Sequence, residues 1–208
     1  MINNALNTLD YPDIYKKYLD KEIELVINFV KNSQEVLDAG CGTGRAIPFI
    51  ADNIKEYVGI DIDAGFLKEA IEIAKKFKNT RIIEQDVHTL SKAFEPGSFD
   101  KTIALWNSMA CFKDDKKALR EISNVTRNSL FFTLPIKGTI KTRKIFYDAV
   151  GADYRIDPET ETVYSKEFGL TRAYSKEDII ELVEDTGFLI EKIGSIGNIL
   201  HAIYLKKE

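Results

Sequence analysis

Three glycines at alternate positions, Gly40, Gly42 and Gly44, constrain the fold of this chain more than any other feature. They follow a short apolar run that begins at Val36, and they precede a helical pattern, so the order is strand, turn, helix. A residue without Cβ can adopt positive φ and lets a ligand lie against the backbone, while the N–H groups of the next helical turn point at that ligand. The pattern predicts a loop that binds a cofactor.

The residues around this loop indicate the kind of ligand. A dinucleotide fingerprint needs a third small residue three positions after the second glycine, and here that position is Arg45. Asp38, two residues before the first glycine, would repel a pyrophosphate but hold an α-ammonium group. Asp61 ends the next apolar run, where a carboxylate can accept both ribose hydroxyls. These features favour a nucleoside that carries an amino acid.

In these motifs the chain resembles the class I S-adenosylmethionine-dependent methyltransferases, from about residue 33 to the C-terminus. Two further segments carry the resemblance, I-I-E-Q-D-V at residues 82–87 and F-D-K-T-I-A-L-W-N at residues 99–107. The resemblance implies S-adenosylmethionine as the cofactor, with the loop around its methionine part, Asp61 on the ribose, and Ile62 against the adenine. The candidate cofactor-binding residues are Asp38, Gly40, Cys41, Gly42, Gly44, Asp61, Ile62, Asp86, Val87, Asn107 and Tyr18.

Strand and helix patterns alternate along the chain, which is typical of α/β proteins. Gly197 and Asn198 alone separate the last two strands, so these must be antiparallel. We therefore predict an α/β fold with a doubly wound seven-stranded sheet, the Rossmann-like methyltransferase fold, with an antiparallel last strand and helices between the first five strands. Asp63 precedes a helical pattern and is predicted to be a helix N-cap. The predicted strands lie near residues 35–40, 57–62, 81–87, 99–106, 129–134, 187–195 and 199–206.

Composition bounds the class of protein. With 208 residues and 44% hydrophobic content, the chain can bury one substantial core, so we expect one methyltransferase domain over residues 1–208. Two cysteines, Cys41 and Cys111, offer neither a metal cluster nor a disulfide framework. The net charge of -4 argues against strong nonspecific binding to nucleic acid. No apolar run approaches the roughly 18 residues of a membrane span, and the N-terminus lacks a signal-peptide pattern, so a cytoplasmic location is expected.

Two segments outside the predicted core are expected to decide the substrate. They are residues 1–31, an N-terminal cap, and residues 136–175, a lid insertion longer than the usual connection of about 2 to 6 residues. The tyrosines on both segments could form an aromatic wall that suits a cationic or amine acceptor, or they could be ordinary packing residues. The candidate substrate residues are Tyr11, Tyr15, Trp106, Tyr154, Arg172 and Tyr174.

The resemblance implies methyl transfer by in-line displacement, and we expect a small-molecule acceptor. Alignment and desolvation can supply much of the acceleration, so a base is optional and no catalytic residue is assigned. Neither His88 nor His201 is placed as an acid–base residue near the acceptor, which slightly favours an amine or a carboxylate acceptor, although a Tyr, Asp or Glu base could restore hydroxyl chemistry. The fourth strand exits as L-W-N-S-M, without the motifs of nucleic-acid base methyltransferases. The alternatives are an RNA or protein methyltransferase and a non-catalytic S-adenosylmethionine-binding protein; the oligomeric state stays open.

Overall fold

The computed structural model describes residues 11–208, and its main feature is a seven-stranded sheet in the order β3-β2-β1-β4-β5-β10-β9. The first five strands along the chain run parallel, and β10 pairs antiparallel with both β5 and β9. The predicted fold class is therefore confirmed, including the antiparallel last strand. The sheet strands are β1 Glu35–Ala39, β2 Glu56–Asp61, β3 Thr80–Glu84, β4 Phe99–Ala104, β5 Thr126–Pro135, β9 Phe188–Ile196 and β10 Leu200–Lys207.

The turn between the last two strands depends on a glycine, as the hairpin pattern indicated. Gly197 has φ +56°, and a Cβ there would lie 2.4 Å from the ring of Tyr18. The Tyr18 hydroxyl donates to Oδ1 of Asn198 at 3.1 Å. This turn therefore packs directly against the N-terminal helix.

Helices cover both faces of the sheet, and two connections contain 3-10 turns. Asp63 is an N-cap as predicted, because its Oδ1 accepts from the N–H groups of Gly65 and Phe66. The β3–β4 connection differs from the prediction, since it is a 3-10 helix, Val87–Lys92, with a kink at Thr89. The α-helices are α1 Asp13–Val30, α2 Ile47–Ile50, α3 Ala64–Ala74, α4 Ser108–Cys111, α5 Asp115–Val125, α6 Ile140–Ala149 and α7 Lys176–Val183.

The apolar core lies on both sides of the sheet. On one side Val26 and Val30 of α1 pack with Ile47 and Phe131, all fully buried or nearly so. On the other side Leu119 of α5 and its neighbours pack against the opposite face. The second half of α1 is thus part of the core rather than a detachable cover. Within residues 11–208, none of the helices combines the length and hydropathy that a bilayer crossing requires.

The insertion at residues 136–175 contains structure that the sequence did not indicate. After α6 it forms a small antiparallel sheet of three short strands, β6 Tyr154–Asp157, β7 Thr162–Ser165 and β8 Gly169–Thr171. Strands of three or four residues are too short to give a clear alternation of apolar and polar residues. Only their mutual pairing and their packing on the main domain define them.

The topology places a crevice at one edge of the main sheet. The strand order reverses between β1 and β4, so the connections that follow these two strands leave in opposite directions. Such a switch point is where open α/β sheets bind ligands, at the carboxyl ends of the strands. The glycine loop follows β1, and Trp106 and Asn107 follow β4.

Candidate functional site

A cavity of about 520 Å³ lies at this switch point. The glycine loop and the ends of β1 and β2 line one part of it, here called the loop end. Residues that follow β4, together with the insertion and Tyr11, line the other part, here called the aromatic end. Nine of the predicted site residues contribute to the lining: Tyr11, Asp38, Gly40, Cys41, Gly42, Asp61, Ile62, Trp106 and Asn107.

The three glycines of the loop all have positive φ, but they serve different purposes. A Cβ at Gly40 would lie 2.8 Å from the Cβ of Ser108, and one at Gly44 would lie 3.1 Å from the backbone of Ala70. These two glycines therefore permit close packing. At Gly42, where φ is +53°, a Cβ would meet no atom within 4 Å, because this glycine faces the cavity.

Asp38 supplies a buried carboxylate to the loop end. Its Oδ2 accepts a 2.6 Å hydrogen bond from the Tyr57 hydroxyl, while its buried Oδ1 has no partner among the described residues. Burial raises the pKa of Asp38 to about 7, partly offset by the Tyr57 hydrogen bond and by the charge of Arg45. The nearby Asp61 and Glu22 carboxylates contribute to the upward shift of the pKa. A cationic ligand group at Oδ1 would supply the missing partner.

This geometry predicts a pH dependence for ligands that carry an ammonium group. Below pH 7 the Asp38 carboxyl is protonated in the free protein, so binding of an ammonium must displace that proton. We expect the affinity for S-adenosylhomocysteine to weaken by up to about tenfold per pH unit below 7 and to level off above it. Titration calorimetry across this range measures the effect. Asp38→Asn should bind weakly at every pH, and a pH-independent wild-type affinity would contradict the assignment.

Asp61 connects β2 to the glycine loop. Its Oδ2 accepts from the Gly42 N–H at 2.9 Å, and its Oδ1 accepts from the Asp63 N–H at 3.0 Å. The carboxylate thus fixes the loop and also lines the cavity. Beside it, the Ile62 side chain is 69% exposed although it is large and apolar, so it offers a free surface for a flat ligand group.

Cys41 lies in the loop end but is not a nucleophile. The residue is buried, and burial raises the pKa of its thiol far above the usual range. The nearby carboxylates of Asp38 and Asp61 shift the pKa in the same direction. Because the thiolate is the reactive form of cysteine, this side chain is an inert packing residue.

Four predicted cofactor residues do not line the cavity. The Asp86 carboxylate accepts from the backbone N–H of His88 at 2.9 Å and lies 2.6 Å from Nδ1 of its ring. Val87 is buried in the core, Gly44 packs against α3, and Tyr18 bonds to the hairpin turn. In this structure they hold the walls of the site rather than forming its surface.

The candidate substrate residues also fall into two groups, those that line a cavity and those whose side chains bind within the protein. Tyr11 and Trp106 line the aromatic end, and Tyr15 lines a smaller adjoining cavity. The others bind within the protein, since Tyr154 donates to Asp148, Arg172 donates to the carbonyl groups of Phe112 and Lys113, and Tyr174 donates to Asp115.

The segment after β4 is strained where it meets the cavity. Trp106 and Asn107 both have positive φ, +47° and +69°, which is unfavourable for residues with a side chain. Glu22 of α1 holds this turn, because its Oε1 accepts from the Trp106 N–H at 2.8 Å. The Asn107 Oδ1 atom is buried and has no partner among the described residues.

Glu22 is a site residue that the sequence analysis missed. It is fully buried, its Oε1 also accepts from the Thr133 hydroxyl at 2.6 Å, and its Oε2 pairs with the Arg45 guanidinium. One carboxylate thereby links the N-terminal helix, the glycine loop and the turn after β4. Its position three residues after Leu19 and four before Val26 put it on the apolar face of α1, which was the available signal.

Aromatic rings enclose the other end of the cavity. The Tyr11 and Trp106 rings stack at 6.5 Å between centroids, and Phe146 of α6 contacts both rings edge-on. The sequence analysis missed Phe146 and Phe168, because residues so far apart in the chain meet only after the insertion folds back. The aromatic residues of this end are Tyr11, Trp106, Phe112, Phe146, Tyr147 and Phe168.

The chain matches known proteins over its central part. Residues 36–129 match the family model of the methyltransferase domain. An uncharacterized protein, MJ1252, of Methanocaldococcus jannaschii is 28% identical over 148 residues, which are 70% of this chain and 54% of that protein. The 18S rRNA (guanine-N(7))-methyltransferase of Bos taurus is 31% identical over 112 residues, which are 52% of this chain and 38% of that enzyme. The chain thus spans about half or less of the length of these relatives.

The fold is shared with solved methyltransferase structures. A SAM-dependent methyltransferase from Aquifex aeolicus superposes with a TM-score of 0.71 at 18% identity, over 100% of this chain and 99% of that chain. The family model covers the glycine loop, the first four strands and the start of β5, and the superposition covers the whole sheet. The match to the methyltransferase domain over residues 36–129 and the shared fold support the family that the motifs indicate, the class I S-adenosylmethionine-dependent methyltransferases.

Proposed function

We propose that this enzyme transfers the methyl group of S-adenosylmethionine to a small molecule whose accepting group is an amine or a carboxylate. The observation that carries the proposal is the cavity itself. Its loop end offers an unpartnered buried carboxylate oxygen, and its other end is enclosed by aromatic rings.

The loop end suits the cofactor. The free Oδ1 of Asp38 suits the α-ammonium group, and Gly42 leaves open space where the ligand would approach the backbone. Asp61 is available for the ribose hydroxyls, and the exposed Ile62 for the adenine. When bound, S-adenosylmethionine would supply an electrophilic sulfonium methyl group for attack by a lone pair of the acceptor, with S-adenosylhomocysteine as the leaving group.

The enclosed aromatic end favours a small acceptor over RNA or protein. Tyr11 of the N-terminal segment and Phe168 of the insertion both line the space beside Asn107. A nucleic-acid enzyme would need an open or basic surface there, whereas Lys141 and Lys144 of α6 are exposed and do not line the cavity. The resemblance to the rRNA enzyme is restricted to about half of this chain.

Among residues 11–208, the cavity lining includes no histidine, which favours an acceptor that needs no base. Neither histidine lines the cavity, because His88 binds Asp86 and His201 is buried against the Tyr174 carbonyl. Burial raises the pKa of Tyr11 to about 12, so its hydroxyl stays protonated at neutral pH. A neutral amine or an ionised carboxylate can attack without losing a proton first, so this chain has only to align it and exclude water.

The lid is part of the same proposal, with narrower bounds than the sequence suggested. Residues 1–10 lie outside the described residues, and α1 from Glu22 to Val30 is anchored in the core. Movement that admits the acceptor would therefore involve two segments. One runs from Tyr11 through the first turns of α1 to about Tyr18, and the other is the insertion at residues 136–175. Tyr15 links these two parts, since its hydroxyl donates to the Thr142 carbonyl at 2.6 Å.

A ligand comparison tests the cofactor part of the proposal. S-adenosylhomocysteine at a hundredfold excess over its Kd should stabilise the protein by about 2.7 kcal/mol, and NAD should have little effect. For a chain of this size the expected rise in Tm is roughly 5 to 10 °C. A larger rise in Tm with NAD than with S-adenosylhomocysteine in a thermal shift assay would contradict the proposed cofactor. Mass spectrometry after incubation with S-adenosylmethionine and a panel of small amines and acids then tests the acceptor class, with ribosomal RNA as the competing substrate.

A further inference from the structure

A second, smaller cavity adjoins the aromatic end, and a buried arginine side chain forms part of its wall. Its volume is about 40 Å³, and it shares Trp106, Asn107 and Tyr147 with the lining of the main cavity. Arg143 of α6 also lines it and is only 5% exposed. The space is large enough for a few water-sized groups, and hence for a carboxylate, but not for a ring.

The charge of Arg143 is not neutralised within the described part of the chain. Two of its N–H groups donate to backbone carbonyls, Nη1 to Glu161 at 2.7 Å and Nη2 to Thr171 at 2.8 Å. Among residues 11–208, no carboxylate oxygen lies within 4.0 Å of its guanidinium nitrogens, although Arg45, Arg127 and Arg172 each have such a partner.

A buried charge without a counter-ion is costly, so its position requires a reason. The two carbonyl groups orient the guanidinium but leave its charge unopposed, and they occupy only part of its five N–H donors. A guanidinium pairs with a carboxylate through two parallel N–H donors, and Arg143 has N–H donors that the two carbonyl groups leave unused. We propose that Arg143 binds a carboxylate of the methyl acceptor, whose apolar or aromatic body fills the aromatic end.

This inference rests on the proposed function, because it concerns the acceptor that occupies the same site. It adds one requirement, namely that the acceptor is an organic acid. The acid group enters the small cavity beside Asn107, and the ring or chain that carries it packs against Trp106 and Phe146 on the side of the main cavity. An aromatic wall alone would not distinguish an acid from its neutral analogue, but a buried guanidinium would.

Benzoate and benzamide provide a matched pair of probes, since they have the same shape and differ in charge. Trp106 is the single tryptophan of the chain and lines both cavities, so its fluorescence reports binding directly. With the protein saturated with S-adenosylhomocysteine, we expect benzoate to bind about tenfold or more tightly than benzamide, as hydrogen bonds to a charged group require. Equal affinities would overturn the proposal without any variant being made.

Variants of Arg143 and Lys144 test which residue causes the preference for benzoate over benzamide. Arg143→Met should bring the two affinities within about twofold of each other, since the charge-assisted bonds are gone. Lys144→Met removes the neighbouring exposed cation of α6 and should leave the ratio unchanged. Persistence of the preference in Arg143→Met would overturn the proposal. If that variant does not fold, Arg143→Gln, which is also uncharged, replaces it with the same expected loss of preference. Calorimetry with S-adenosylhomocysteine alone separates the proposed function from the role of Arg143. If S-adenosylhomocysteine does not bind, the proposed function is refuted. If it binds but benzoate is not preferred over benzamide, only the role of Arg143 is refuted.

Discussion

Replacing Gly42 with valine should reduce the affinity for S-adenosylhomocysteine by about a hundredfold or more, equivalent to roughly 2.8 kcal/mol, while the protein remains folded. Gly42 faces the cavity with φ +53°, and the space beside its Cα is empty of protein atoms. A branched side chain would fill the space that the ligand needs. It would also strain the loop, whose N–H at this position donates to Asp61.

Gly97→Val is the matched control. Gly97 also has positive φ, +67°, and open space around its Cα, but it lies outside the cavity lining. The two variants should therefore lose similar unfolding free energy from backbone strain, and only Gly42→Val should lose binding. Calorimetry together with denaturant unfolding measures both quantities. Normal binding by a folded Gly42→Val would show that the loop does not contact the cofactor.

Replacing Glu22 with alanine should destabilise the protein by about 3 to 5 kcal/mol, the cost of breaking a buried ion pair. The change leaves the Arg45 guanidinium, the Trp106 N–H and the Thr133 hydroxyl without their partner. For a chain of about this length, that loss lowers Tm by roughly 6 to 20 °C. The strained turn after β4 also loses the hydrogen bond that holds it, so cofactor affinity should fall as well.

Glu24→Ala, two residues further along α1, is the control. Its side chain is 62% exposed and, within residues 11–208, forms an ion pair with Lys21 alone, so the expected change in unfolding free energy is less than about 1 kcal/mol. Glu22→Gln keeps the shape and one acceptor oxygen, and it should fall between the two alanine variants. If Glu22→Ala were no less stable than Glu24→Ala, the carboxylate would not be the link between helix, loop and turn.

The local patterns of the sequence determined the main sheet and the loop end of the site. Gly197 and Asn198 form the tight turn that makes the last two strands antiparallel, and Asp63, directly before a helical pattern, caps that helix. Asp38 and Asp61 lie at the carboxyl ends of β1 and β2, and Gly42 lies in the loop that follows β1. All three therefore line the cavity, because ligands of doubly wound sheets bind at this edge. These features depend on interactions between neighbours in the sequence or on the topology common to doubly wound sheets.

Tertiary structure decided most of the aromatic end, beyond Tyr11 and Trp106, which the sequence had indicated. Asp86 and Val87 match a motif but face His88 and the core, and Tyr174 bonds to Asp115 instead of lining the site. Glu22 and Arg143 are ordinary charged residues in the sequence, and their roles arise because distant segments bury them. Which side chains of α1 and the insertion meet depends on long-range packing rather than on periodicity. The sequence therefore indicated the family and determined the glycine loop, whereas the environment of the residues at the aromatic end followed from the folded chain.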